Sequence, residues 1–193
     1  FSKGNLLFGL DIAKEEIMKT NEAILVEGEF DVLASYQAGV GNIVAVKGTS
    51  LTERQIALIK RFCETITLCF DTDLAGDAAA RRSIEMVDLA GLNTKIIHLG
   101  KSKDPADLIS EDANAWQKAV QEAIGIYDFL IDSALRRHDG TTSVGKRKIG
   151  QELLPILAKI SDDLVRAHYL KLLALRLDVL EEVLRQAIEK RKP

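Results

Sequence analysis

The chain has 193 residues, of which 47% are hydrophobic and 28% are charged, and its net charge is −3. This is the composition of a soluble globular protein, and no apolar run is long enough to cross a bilayer. The two cysteines, Cys63 and Cys69, lie at no zinc-ligand spacing, which argues against structural zinc and favours a reducing compartment.

Charge is divided unevenly along the chain. Residues 1–112 carry 12 basic and 18 acidic residues, whereas residues 113–193 carry 14 and 11. An acidic first part suits a site that collects cations. A basic second part could contact nucleic acid, although an ordinary solvated surface is the commoner explanation.

The first part of the chain alternates short apolar runs with helical patterns. After a loop over 1–10, we expect a helix over 11–20 capped by Asp11, with Ile12, Ala13 and Ile17 as its apolar face. The elements predicted next are strand 23–26, helix 31–38, strand 42–46, helix 53–62 capped by Thr52, strand 65–70, helix 77–90 and strand 94–99. Such alternation is typical of βαβ units, and near-continuous apolar strands indicate a mostly parallel sheet covered by helices.

After residue 112 the strand signals end and helical periodicity takes over. One apolar stripe predicts the first of these helices, with Trp116 in a bundle core; its members are Trp116, Val120, Ala123, Ile124, Tyr127 and Ile131. Pro155 should kink or end a second helix, a third begins at 161–163, and Asp178 caps a fourth. We therefore predict an α/β fold in three segments, namely a lead-in over 1–21, an α/β domain with a mostly parallel sheet over 22–112 and a small α-helical bundle over 113–193.

Acidic residues follow two of the predicted strands. Glu27 and Asp31 come after the run at 23–26, and Asp71 and Asp73 come after the run at 65–70. The carboxyl ends of parallel strands share one edge of a sheet, so these acids should converge there. Clustered carboxylates suit magnesium, which prefers hard oxygen ligands. The alternative is that these residues only cap helices and turns.

Two segments resemble the motifs of the Toprim domain. VEGEFD (26–31) is similar to its Glu-Gly-x-x-Asp motif, and FDTDLAGDAA (70–79) is similar to its Asp-x-Asp motif. Four further segments resemble the bacterial replicative primase of the DnaG type: KGNLLFGL (3–10), the stretch from 25 to 61, KDPADL (103–108) and RLDVLEEVL (176–184). This resemblance covers essentially the whole chain.

The resemblance implies a role for particular residues. Glu27, Asp71 and Asp73 would be catalytic, and magnesium or manganese would be held by these three with Asp104, supported by Asp31. Lys3 matches a position that contacts nucleotide or nucleic acid, and Lys47 lies in a loop expected at the same edge. The family often has Asp-Pro-Asp where this chain has Asp104-Pro105-Ala106-Asp107, so we expect Asp107 to be a helix cap.

The function implied is that of the RNA polymerase core of a primase, which makes short RNA primers by nucleotidyl transfer. Its expected partners are single-stranded DNA, ribonucleoside triphosphates, and a replicative helicase and single-strand-binding protein that contact regions outside this chain. We expect a cytoplasmic monomer, part of a longer protein and weak or inactive alone. The alternatives are another Toprim enzyme, such as a nuclease or topoisomerase, or a non-catalytic Toprim binding module.

Overall fold

The structure, a computed structural model, describes residues 6–46, 51–69, 78–100 and 102–190, without the side chains of residues 78 and 79. The described residues fall into two compact units. The first contains those between 6 and 69 together with 82–125, and the second contains 78–81 together with 126–190. None of the helices in the described part has the length and apolar character needed to span a membrane.

The first unit is an α/β structure, as the sequence predicts. Its elements are α1 (Leu10–Thr20), β1 (Glu22–Val26), α2 (Glu29–Gln37), β2 (Ile43–Ala45), α3 (Glu53–Ile59), β3 (Thr65–Leu68), α4 (Ala78–Leu89) from residue 82 onward, β4 (Asn93–Ile96), α5 (Pro105–Glu111), α6 (Ala113–Gln121) and β5 (Ile124–Gly125). Each predicted strand forms within one to three residues of its expected ends. The fold class is therefore confirmed.

The sheet has the strand order β2-β1-β3-β4-β5. The pairs β1–β2, β1–β3 and β3–β4 are parallel, and β5 is antiparallel to β4. From β1 the chain crosses to β2 on one side and then returns to β3 on the other. The order of the strands thus reverses between β1 and β3, which creates a crevice at their carboxyl ends.

The core of the first unit explains why these strands form. Ala23, Ile24, Leu25 and Val26 have no exposed surface, so β1 carries apolar side chains on both of its faces, as a central parallel strand should. Trp116 of α6 is fully buried in the same apolar cluster as Ile24 and Ile43. The prediction that Trp116 belongs to the bundle core is therefore wrong.

Several helix ends differ from the sequence prediction. Gly9, with φ of 82°, precedes α1 in the cap position, so Asp11 lies in the first turn, and Ile12 is 63% exposed. By contrast, Thr52 caps α3 as expected, because its side chain accepts a hydrogen bond from the backbone N–H of Gln55 at 3.2 Å. The predicted side-chain cap is therefore correct at Thr52 and wrong at Asp11.

The second unit contains α7 (Ile126–Arg137), α8 (Ser143–Leu157), α9 (Asp163–Leu177) and α10 (Glu181–Glu189). Pro155 lies inside α8, which continues to Leu157. Asp178 adopts a left-handed conformation (φ 49°) at the end of α9 and does not cap α10. The stripe predicted as one helix is divided between α6 and α7, with β5 between them. The compact units accordingly divide between 125 and 126, whereas the domain boundary predicted from sequence lies at 112/113.

Candidate functional site

Glu27 lies at the carboxyl end of β1, beside the crevice where the strand order reverses. Leu25 pairs with Leu68, and the N–H of Cys69 donates to the carbonyl of Leu25 at 2.9 Å, so β1 and β3 end at the same level. Glu27 is the first residue after β1 and is exposed. Crevices of this kind are where open α/β sheets bind their ligands.

Asp31 occupies the first turn of α2 and is only 7% exposed. Its Oδ2 atom accepts a hydrogen bond from the N–H of Gly28 at 3.1 Å, and its Oδ1 atom accepts one from the N–H of Ala106 at 3.2 Å. The first bond closes the turn between β1 and α2. The second connects this turn to the beginning of α5.

Asp104 caps α5. Its Oδ1 atom accepts a hydrogen bond from the N–H of Asp107 at 2.8 Å, and Pro105 is the first residue of the helix. The prediction that Asp107 is the cap is therefore wrong, since Asp107 lies exposed in the first turn. An N-cap aspartate followed by proline is a recognised helix start, so the sequence did contain this signal.

The other predicted site residues lie outside the described residues: Asp71, Asp73, Lys3 and Lys47. Their neighbours in sequence are described. Phe8 and Ala45 exchange backbone hydrogen bonds of 3.0 and 3.1 Å, and Val46 donates to Val26 at 3.0 Å. Val46 thus lies beside the carboxyl end of β1, and Phe8 lies beside the carboxyl end of β2.

The acids of the described part influence one another. Burial raises the pKa of Asp31, and the negative charges of Asp104 and Asp107 raise it further, although hydrogen bonds from Ala106 and Gly28 oppose this. Burial also raises the pKa of the Cys69 thiol, and Asp31 and Asp104 add to that effect. A divalent cation would relieve this repulsion, and the donors are hard oxygens of the kind that magnesium or manganese prefers. No group of three potential metal ligands occurs within the described ranges, which leave out residues 70–77.

Sequence reasoning missed the partner of Asp31. The donor is the backbone N–H of Ala106, and a backbone group leaves no mark in a side-chain pattern. The only indirect signal is Pro105, which marks the first position of a helix, and the N–H groups that follow this position have no acceptor within the helix.

Two protein families match the chain. The family described as Toprim-like matches residues 24–109, and the family described as the DnaB-helicase binding domain of primase matches residues 127–182. The second match lies within this chain, whereas the expectation from sequence is that the helicase contacts regions outside it.

Individual relatives agree with the family matches. The chain is 37% identical over 189 residues to the DNA primase of Halalkalibacterium halodurans. The matched region covers 94% of this chain and 31% of that protein. It resembles the crystal structure of the zinc-binding and RNA polymerase domains of Aquifex aeolicus primase (TM-score 0.77, 30% identity, 95% of this chain and 44% of that one). It also resembles a DnaG primase catalytic domain bound to single-stranded DNA (TM-score 0.76, 28% identity, 93% of this chain and 58% of that one).

The chain thus spans about a third of the length of its curated relative. The resemblance extends over both compact units, since it covers more than nine-tenths of this chain in each comparison. The two matched families follow each other along the chain in the order in which the α/β unit and the helical unit occur. The chain belongs to the family of DnaG-type bacterial DNA primases, of which it carries the Toprim domain and the helical segment that follows it.

Proposed function

We propose that this chain is part of an RNA polymerase core that makes short RNA primers on single-stranded DNA. One observation carries the proposal: Glu27, the acid of the Toprim motif, lies at the carboxyl end of β1, beside the crevice between β1 and β3. Asp71 and Asp73 follow β3 in the sequence. The related catalytic domain bound to single-stranded DNA supports DNA as the template.

In this proposal Glu27, Asp71, Asp73 and Asp104 hold magnesium or manganese. The cation would neutralise charge on the reacting phosphates and orient the attacking oxygen. Glu27 is exposed and therefore accessible to a ligand, and Asp104 reaches the same edge of the sheet through the loop between β4 and α5. Lys3 and Lys47 would bind the phosphates of nucleotide or nucleic acid, because phosphate affinity comes mainly from Lys and Arg contacts.

The proposed partners follow from the same assignment. They are ribonucleoside triphosphates, a single-stranded template, a replicative helicase and single-strand-binding protein, for a cytoplasmic monomer at the replisome. The helicase is supported by the match of residues 127–182 to a helicase-binding family. With a net charge of −3, this chain alone should bind single-stranded DNA weakly at physiological salt.

The test is primer synthesis by the full-length protein with Glu27→Gln. We expect a loss of at least about 100-fold, because the substitution removes a charged ligand or base at the reacting centre. Glu29→Gln makes the same change of charge two residues away, in the first turn of α2, and should retain activity within about threefold. Wild-type activity of Glu27→Gln, or equal losses in both variants, would refute the proposal. Metal-dependent nicking of plasmid DNA without ribonucleotides would favour a nuclease instead.

A further inference from the structure

Asp31 joins two parts of the candidate site that are 75 residues apart in sequence. One carboxylate oxygen accepts the N–H of Gly28, next to Glu27, and the other accepts the N–H of Ala106, in the first turn of α5. With only 7% of its surface exposed, the side chain lies between these two backbone segments. Both oxygens are therefore engaged with backbone N–H groups, in bonds that the negative charge strengthens.

The beginning of α5 depends on this contact. The first residue of the helix, Pro105, has no N–H, and the N–H of Asp107 donates to the side chain of Asp104 at 2.8 Å. Ala106 is the remaining residue of the first turn, and its N–H donates to Asp31. The N–H groups of this turn thus have two acceptors, the side chains of Asp104 and Asp31. These two carboxylates together fix where the helix starts.

The contact on the other side is equally close. A Cβ atom on Gly28 would lie 2.8 Å from the Oδ2 atom of Asp31, closer than real Cβ contacts. A side chain at position 28 would therefore require the carboxylate of Asp31 to shift, and would disturb its contact with the turn after Glu27. Asp31 thus binds the backbone next to Glu27, through the N–H of Gly28, and the backbone two residues after Asp104, through the N–H of Ala106.

We infer that Asp31 is a positioning residue, which holds the turn of Glu27 and the cap of Asp104 together and does not itself bind the cation. This revises the sequence expectation that Asp31 supports metal binding. The functional part of the inference rests on the proposed function, whereas the connection between the two segments does not.

Hydrogen exchange of this chain tests the connection without any metal. In the wild type, the N–H of Ala106 should exchange slowly, and fast exchange like that of an exposed amide would overturn the inference directly. Asp31→Asn replaces one acceptor oxygen by a donor and removes the charge that strengthens the other bond. It should speed exchange at Gly28, at Ala106 or at both by about tenfold or more, the effect of one charge-assisted hydrogen bond. Asp107→Asn removes a neighbouring charge without touching these bonds and is the matched control. Unchanged exchange in Asp31→Asn would also overturn the inference.

Cobalt binding tests whether residue 31 is a ligand. A cysteine that coordinates Co²⁺ gives sulfur-to-metal charge-transfer absorption, so Glu27→Cys should show this band and Asp31→Cys should not, with the wild type as the baseline for Cys63 and Cys69. A band in Asp31→Cys would overturn the inference. Absence of the band in Glu27→Cys would instead count against the proposed function and leave exchange to decide the role of Asp31.

The full-length protein completes the test. If Asp31 positions the acids, Asp31→Asn should raise the magnesium concentration that gives half-maximal primer synthesis by about tenfold, while Asp107→Asn should not. The KM for nucleotide at saturating magnesium should stay within about twofold. Loss of exchange protection with unchanged magnesium dependence would show that the connection is structural only, and would refute the positioning role.

Discussion

The side-chain amide of Gln55 donates a hydrogen bond to the backbone carbonyl of Leu6 at 2.8 Å. Gln55 has no exposed surface, and its Oε1 atom accepts the N–H of Thr52 at 3.0 Å. One buried side chain thus connects the segment that precedes α1 to the cap of α3, 49 residues later in the sequence.

Gln55→Leu should destabilise the chain strongly. Leucine has a similar size but leaves the carbonyl of Leu6 and the N–H of Thr52 without this partner. We expect a loss of about 2–4 kcal/mol in the free energy of unfolding, measured by urea denaturation. Gln37→Leu, on the exposed side of α2, should change stability by less than about 0.5 kcal/mol. Equal effects in the two variants would contradict this account of Gln55.

Tyr169 connects two helices of the second unit through a hydrogen bond. Its hydroxyl donates to Oδ2 of Asp128 at 2.9 Å, and its ring lies 5.1 Å from that of Tyr127. Tyr169→Phe should cost about 1–3 kcal/mol at neutral pH, because the bond is to a carboxylate. Tyr36→Phe, on a side chain that is 57% exposed, is the control and should have little effect on the urea midpoint.

The same tyrosine should make stability depend on alkaline pH. Burial, and then the hydrogen bond and charge of Asp128, raise the pKa of Tyr169 above its ordinary value of 10.0. A raised folded pKa gives stability that is complete below the unfolded value and is lost as pH rises above it. The wild type should therefore lose more stability than Tyr169→Phe between about pH 9 and pH 11. Parallel pH profiles for the two proteins would show that this pKa is not raised.

Gly145 and Gly150 lie in the same helix but should respond oppositely to alanine. A Cβ on Gly145 would lie 1.7 Å from the carbonyl oxygen of Asp139, whereas a Cβ on Gly150 meets only Cδ1 of Leu154, at an ordinary 3.7 Å. Gly145→Ala should cost about 3 kcal/mol or more. Gly150→Ala should raise the free energy of unfolding by about 0.5–1 kcal/mol, because alanine favours the helix interior. Thermal and urea unfolding of the two variants check the sign as well as the size.

The two cysteines should resist thiol reagents in the folded chain. Cys63 and Cys69 are 5% and 2% exposed, and burial raises the pKa of Cys63 to about 11 from 9.0. That shift alone reduces the reactive thiolate about 100-fold at neutral pH. Titration with a chromogenic disulfide should therefore be slow in buffer and fast in urea, and Ser143→Cys should add one fast thiol. Rapid reaction of both native thiols would contradict the buried positions.

The strands were predictable because their signal is local. β1, β2 and β3 are short, largely apolar runs between turn residues, so the sequence alone predicts them. β4 is less apolar, and its signal is the apolar pair Ile96 and Ile97 at its end. By contrast, β5 has only two residues, and one of them, Ile124, is 44% exposed. This strand exists because it pairs with β4, about thirty residues earlier in the sequence. Pairing of this kind depends on tertiary structure and leaves no periodic pattern.

Helical periodicity predicts how apolar residues are spaced along a helix more reliably than it predicts which of them face the core. In α2, the apolar residue Val32 is buried, but the apolar residues Leu33 and Tyr36 are 52% and 57% exposed. The sequence shows that apolar residues recur along the helix. Which of them faces the sheet depends on how the helix packs, and that is settled only in the folded structure.

The candidate site, too, could be predicted from the sequence only in part. The strand–turn–helix pattern placed Glu27 and Asp31 at the carboxyl end of β1, and the structure has them there. The contact of Asp31 with Ala106 could not be predicted, because it joins a side chain to a backbone group across 75 residues. Whether Asp71 and Asp73 complete the site stays a prediction.

The two outermost strands of the sheet, β2 and β5, are three and two residues long. Phe8 already exchanges hydrogen bonds with Ala45 along the outer side of β2. Long unpaired strands at the margins of a sheet recruit matching strands from other molecules, and short or occupied ones do not. A concentrated solution of this chain should therefore remain free of fibrils, even though its central strands are among its most apolar segments.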